Sequence, residues 1–548
     1  MRLRSLALVA MLALPIVAPV TSAVAGDVPI PVTMAMPDGN AFMVAVIPDL
    51  LATLGRIEQY VEMFAPGQVK PGMLKMQLGA ALGDPELKNF AGKPVLIAVG
   101  PGAPTPSFAV VVPAKNAQAY LDAAANLGMP LGKAVDGLAV LAQTPDGETL
   151  GEALAANYAK LTAGLPKADA RLLLAPDKVM ATYAGMFGMF AQMAAGQAAQ
   201  QGNAAAGKIL QLELAALQLI AADISAVQLD LTLGAGGVLG EEIVLKAKPG
   251  TALAKSMVAA PNPAGQRAAA RMGAEPSLMA MSGRLNWAAQ SEYLGGLLTA
   301  LKAKPEAKEL ISDQAIALTK QWGEAVTGDF AFRLRPGGAD APFLWEGLYG
   351  SADQAKADAM IGEMGKLFTG DGALATMYRE MGVTMAMTKG ARTAPSGASV
   401  YKMSSTLDEA KIPAAQVAQM KAMMKDYELA VTKGWMVMAQ DPKSLDALIA
   451  GTGQGMTLKA EKSIGAGRQT YVDMDFIGFV KAVMKFAGNG MEAMIPAGKA
   501  GEPMAMAATI DGGAALIEIK WPLQPLADIV KAFAGGGQQP PPEQAPAF

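Results

Sequence analysis

Apolar and polar residues along this chain keep switching between a two-residue and a helical period. In "GWMVMAQDPKSLDALIAG" (Gly434–Gly451) the apolar run Trp435–Ala439 predicts a strand. Asp441 then stands where a side-chain oxygen caps the first amides of a helix. Pro442 takes the first helical position, where its missing N–H costs nothing. Leu445, Leu448 and Ile449 recur at helical spacing as a buried stripe, and Gly451 is the stop. "FAVVVPAKNAQAYLDAAANLG" follows the same plan, with strand Phe108–Val112 and then Tyr120, Ala124 and Leu127 on one helix face. In "LDLTLGAGGVLGEEIVLKA" glycines join two alternating runs, which predicts a hairpin.

These units recur in order. "GLAVLAQTPDGETLGEAL" (Gly137–Leu154) matches Gly434–Gly451, and Ala41–Val61 matches Ser277–Leu298. Ser107–Gly128 matches Pro342–Gly365, Arg171–Phe187 matches Thr470–Phe486, and Glu241–Met257 matches Leu516–Phe533. The spacing changes only where one half carries an insertion, at Ala191–Ile224 in the first and about 366–427 in the second. The expected fold class is α+β: two related halves of repeated β-β-α units, with largely antiparallel sheets and helices packed on one face. The expected boundaries are a signal peptide over 1–25, an N-terminal half over 26–260 and a linker over 261–276. A C-terminal half over 277–534 and a disordered Pro/Gln tail over 535–548 complete the chain.

The first residues carry Arg2 and Arg4, an apolar Leu6–Ile16 and then Ala23-Val24-Ala25. That order predicts export through a signal peptide cut after Ala25, to the periplasm or beyond. No later run is long and apolar enough to span a bilayer. Cleavage would take the formal net charge from −3 to −5, since both arginines leave with it. So mild a charge, without a basic run interleaved with aromatics, disfavours nucleic-acid binding. The 52% hydrophobic and 17% charged residues support a large buried core.

Two absences narrow the chemistry further. With no Cys and no His, the chain has no disulfides, no thiolate or imidazole metal ligands, no thiol nucleophile and no histidine base. There is no G-x-S-x-G, and "GAGGVLG" (Gly234–Gly240) runs into a strand where a phosphate loop needs a helix N-terminus. No cofactor is implied. Asp473 and Asp475 would share a face if one strand ran through both, and could then work as an acid–base pair or hold Ca²⁺. The favoured reading has Asp475 capping the next helix and Asp473 solvated.

Methionine is abundant, at 36 residues. Met180, Met186, Met189 and Met193 lie close to one helical face and are the candidate ligand-binding residues. Met377, Met381, Met385 and Met387 form a second group, and Met491, Met494, Met504 and Met506 a third. Thioethers fill irregular cores, line adaptable apolar grooves or bind Cu(I). This spacing is also that of a core stripe.

The ordered strand–strand–helix duplication behind a signal peptide resembles exported bacterial proteins classed as domains of unknown function. The resemblance is architectural, covers most of the mature chain and brings no catalytic residue with it. The expected function is a non-catalytic cell-envelope protein that binds a protein partner, or an apolar or lipid ligand, in a groove. The alternatives are a carboxylate-dependent hydrolase using Asp473 and Asp475, and a Met-based Cu(I)-binding protein.

Overall fold

Where the local signals are strongest the chain folds as they dictate. Trp435–Ala439 is a strand, Asp441 Oδ2 accepts from the Ser444 amide at 3.1 Å, and Pro442 opens the helix Pro442–Ala450. Gly451 closes that helix at φ +69°, a conformation that costs glycine no steric strain. The computed structural model describes residue 30 and residues 40–535. Within that span 103–104, 126–127, 166–167, 201–203, 261–267, 305–307, 309, 339–340, 371, 413–416, 418–419, 422–423, 488–494 and 496–501 are left out. The expected signal peptide, the start of the linker, nearly all of the tail, Leu127, Met491 and Met494 therefore lie outside the described residues.

Among the described residues eighteen strands form one sheet, and every pairing is antiparallel. The first arm contributes β1 (Met43–Ile47), β2 (Val95–Gly100), β3 (Ser107–Pro113), β4 (Leu131–Val135), β5 (Leu138–Ala142), β6 (Ala170–Leu174), β7 (Ile224–Gly234) and β8 (Val238–Ala247). The second contributes β9 (Met279–Arg284), β10 (Val326–Pro336), β11 (Phe343–Ser351), β12 (Val383–Thr393), β13 (Ser399–Leu407), β14 (Tyr427–Thr432), β15 (Trp435–Ala439), β16 (Thr470–Met474), β17 (Met504–Asp511) and β18 (Ala514–Pro522).

The pairings order the first arm as β4-β5-β3-β2-β1-β6-β7-β8. They order the second as β18-β17-β16-β9-β10-β11-β15-β14-β13-β12. Apart from the hairpin β12–β13, the second arm has the order of the first. The arms meet where β8 pairs with β18, from Val238 opposite Pro522 to Lys246 opposite Ala514. Glu242 and Glu518, each at the same place within its strand, stand directly opposite one another.

The α+β class and the antiparallel pairing match the expectation. The helices, however, cover both faces rather than one, because β5 and its neighbours are apolar at consecutive positions. In the first arm Val46, Leu96, Val111 and Val140 pack under Leu150 and Leu154 of the helix Pro145–Ala156. On the other face Val112, Ala139 and Leu141 pack on Tyr120 and Ala124 of the helix Ala117–Ala124. The second arm is built alike. Ala331, Leu348 and Val437 lie under Leu445, Leu448 and Ile449, while Phe330, Tyr349 and Met436 pack on Met360 and Ile361 of the helix Gln354–Thr369. The described part of the expected linker touches this core: Ala268–Arg271 is a 3-10 turn, Ala268 and Met272 are buried, and Arg271 lies 5.4 Å over the Trp435 ring.

One transverse row of residues crosses all the strands. It is apolar in each arm apart from Ser282 on β9, ends in Lys133 on β4 and Arg392 on β12, and is charged at the centre as Arg171, Asp230, Glu242 and Glu518. Arg171 Nε and Nη2 donate to the two Asp230 oxygens at 2.6 and 2.7 Å, and both side chains are buried. A buried pair of this kind contributes little net stability, but removing one partner strands the other charge. Asp230→Ala is therefore expected to cost about 3–5 kcal/mol in urea unfolding. A loss below about 1 kcal/mol would show that water reaches Arg171 freely.

Candidate functional site

The helix Pro176–Gln200 follows β6 and folds back as the helix Ala204–Asp223, so the two form a hairpin. Gly207 allows the close approach: a Cβ there would lie 2.9 Å from Ala195 Cα. The second helix is anchored in the other arm, where Leu212, Ala215, Ala216 and Leu219 meet Leu297, Leu301, Ile311 and Ile316. The first helix touches the sheet at its base, where Tyr183 meets Phe42 edge-to-face at 5.7 Å. Its outer face is open. Met186, Met189, Phe190 and Met193 are 41%, 53%, 54% and 55% exposed, one ridge at i, i+3, i+4 and i+7. Met180, half-buried nearer the sheet, falls outside that ridge.

Four large apolar side chains in one exposed row are unusual, because isolated exposed hydrophobics are the ordinary case. The helix after β16, Phe476–Ala487, stands at the matching place in the second arm and uses its rings internally. There Phe476 meets Trp521 and Phe479 stacks on Phe343, each at 5.9 Å. Four methionines of the other two groups serve the core: Met377 is buried, and Met385, Met387 and Met506 pack against the second arm's main cluster.

The carboxylates Asp473 and Asp475 do not form a pair on a strand. β16 ends at Met474, and Asp475 caps the following helix, its Oδ1 accepting from the Gly478 amide at 2.8 Å. Asp473 departs from the expectation of a solvated residue. It is buried, and its two oxygens accept from the amides of Lys459 and Ala460 at the start of the helix Lys459–Ile464. Burial pushes its carboxyl above the usual carboxylate range, and the two amide bonds pull back only part of the way. Asp475 does line a cleft with Glu502, Phe476, Trp521 and Pro522, but it has room for about one water molecule.

The central charged row went unnoticed in the sequence. Glu242 faces Asp230 on one neighbouring strand and Glu518 on the other, three carboxylates abreast. Arg171 binds Asp230, and Arg468 binds Glu518 through Nε and through Nη2, the latter at 2.9 Å. Glu242 is the acid left over. Burial and the two adjacent carboxylates hold its carboxyl above the ordinary 4.5, against the pull of Arg171 and Arg468. Among the described residues no group of three or more Asp or Glu has the arrangement of a metal site. No protein-family model matches the chain, and no curated protein or solved structure is detectably similar to it.

Two stability outcomes follow from this geometry. Because the folded protein binds a proton at Glu242 more tightly than the unfolded chain does, the stabilisation from this group is fully present below pH 4.5 and is lost as pH rises through the higher folded value. Glu242→Gln is expected to gain roughly 0.2–1 kcal/mol at pH 7.5 and to flatten that decline. A destabilised Gln variant would show that the charge itself is needed. Asp473→Ala removes a cap that serves two amides and is expected to cost about 1–2 kcal/mol, whereas exposed Asp475→Asn should cost less than about 0.5 kcal/mol. Thermal and urea unfolding of both variants measure the contrast.

Proposed function

We propose that this chain is a non-catalytic protein of the cell envelope, exported on its N-terminal segment, that works by docking an apolar surface. The observation that carries the reading is the ridge of Met186, Met189, Phe190 and Met193, held clear of the core on a helical hairpin braced across both arms. Methionine side chains adapt to partners of varied shape, and the ridge contains no catalytic group. The recurring strand order supports treating the arms as copies of one scaffold unit, with the hairpin as the first arm's addition. The hydrolase reading has less support, since Asp473 and Asp475 are both committed to helix amides. The copper reading uses the same three thioethers and can be separated from docking by chemistry.

The expected outcome is that tagged wild-type chain captures a protein or lipid component from a detergent extract of its own envelope, and that Met189→Glu loses the capture at least ~10-fold. Mass spectrometry of proteins and lipids reads the result. Met189→Leu keeps the apolar surface and removes the thioether, so it should bind like wild type. Loss of capture in the Leu variant, together with Cu(I) uptake by the wild type alone, would replace docking with metal binding. Equal capture by wild type and Met189→Glu would remove the ridge from the function.

A further inference from the structure

We propose that the occupant of the ridge is a second copy of this chain, the two ridge helices pairing antiparallel across a two-fold axis. The inference rests on the ridge being a docking surface, and it names what docks there.

The first support is spacing. Thr182, Met186, Met189, Met193 and Gly196 are all exposed and follow one another at intervals of four, three, four and three residues. Over these two heptads that interval suits the seam of one helix packing along another, and the exposure of all five positions leaves the seam uncovered. A seam of this length calls for a partner helix with a matching one. Among the described residues the other exposed large hydrophobics are Leu51, Met76, Leu217, Val258, Val483 and Val530, each alone on its element. The matching seam is the same helix on another molecule.

The second support is charge. From Val179 to Gly207 the chain has no charged residue. In a two-fold contact a residue near the axis meets its own copy, so a charge there would face a like charge; beyond Asp177 and Lys178 in its first turn this helix has none to bring. A membrane surface fits less well. Helices that lie on bilayers carry lysine and arginine beside their apolar face, and this segment has neither, nor is any described helix long and apolar enough to span.

Area is the third. The four large side chains present roughly 400 Å² of apolar surface, about half of the ~800 Å² that each side of a standard interface covers. The exposed neighbours Ala181, Gly185, Gln192 and Gln197 are small or uncharged and complete a contact along the helix. The result is a four-helix layer, with the two ridge helices inside and the two Ala204–Asp223 helices bracing them from either arm. Such an interface predicts a micromolar dimer in which neither sheet takes part.

Sedimentation velocity of the full chain over a wide concentration range tests this. The expected result is a monomer–dimer equilibrium that Met189→Glu weakens at least ~10-fold and Met189→Leu preserves, both variants keeping the wild-type circular dichroism. Because the chain has no cysteine, Met189→Cys adds a single thiol, and mild oxidation should yield a covalent dimer. Oxidation of Lys160→Cys, an exposed thiol on a different helix, Tyr158–Thr162, should not. A wild type that stays monomeric, with a Met189→Cys variant that gives no cross-link, overturns the dimer. If the ridge variant still loses capture from envelope extract, the docking surface stands and its occupant is another protein. Ridge-dependent flotation with phosphatidylethanolamine–phosphatidylglycerol vesicles would overturn the dimer in favour of a membrane. No ridge-dependent association of any kind would overturn both readings.

Discussion

The antiparallel pairing of β8 with β18 is the contact on which the shape of the molecule depends. Each arm would otherwise end in a strand with unpaired amides and carbonyls along its length. Their union makes two sheets into one and sets the register that every strand on either side inherits. The same register has an electrostatic cost. It puts Glu242 between two carboxylates, and Arg171 and Arg468 reach in from the two arms to hold Asp230 and Glu518. Join and charge compensation are therefore one feature: the arms are tied by backbone bonds, and the arginines make the tie tolerable.

What was legible in the sequence is what neighbours in the chain decide between them. The strand, cap, proline entry, buried stripe and glycine exit of Trp435–Gly451 all depend on residues a few positions apart, and all are present. The hairpin of β7 and β8 was legible for the same reason. β7 also shows the limit. Alternation points Val227 and Leu229 inward, yet Gln228 and Asp230 are the more deeply buried residues, because Arg171, some sixty positions earlier, satisfies the acid. Asp473 misled in the same way: the amides it caps belong to a helix that precedes its strand. A polar residue in a strand reads as solvated until its distant partner is known.

The methionine helix shows a different limit. Its apolar spacing is the same whether a face is covered or bare, and periodicity cannot tell the two apart. Coverage is decided by what other segments do. The helix Phe476–Ala487 has Trp521 and Phe343 beside it, whereas the Met186–Met193 face of Pro176–Gln200 is left exposed by the described residues, its hairpin partner packing on the other arm. The fold supplies a rigid base, and the longer of the two helices carries a surface the arms do not use.

The two ends of the transverse row have a consequence for assembly. Lys133 on β4 and Arg392 on β12 place a cation at each outer strand, held by Glu152 at one end and by Glu428 and Asp446 at the other. A sheet this wide would seed fibres if its borders accepted further strands, since each added chain would expose a fresh border like the last. A charged border makes that addition unfavourable in both directions. Growth by strand exchange is thus arrested at one molecule, and the surfaces left for any closed assembly are those of the helices.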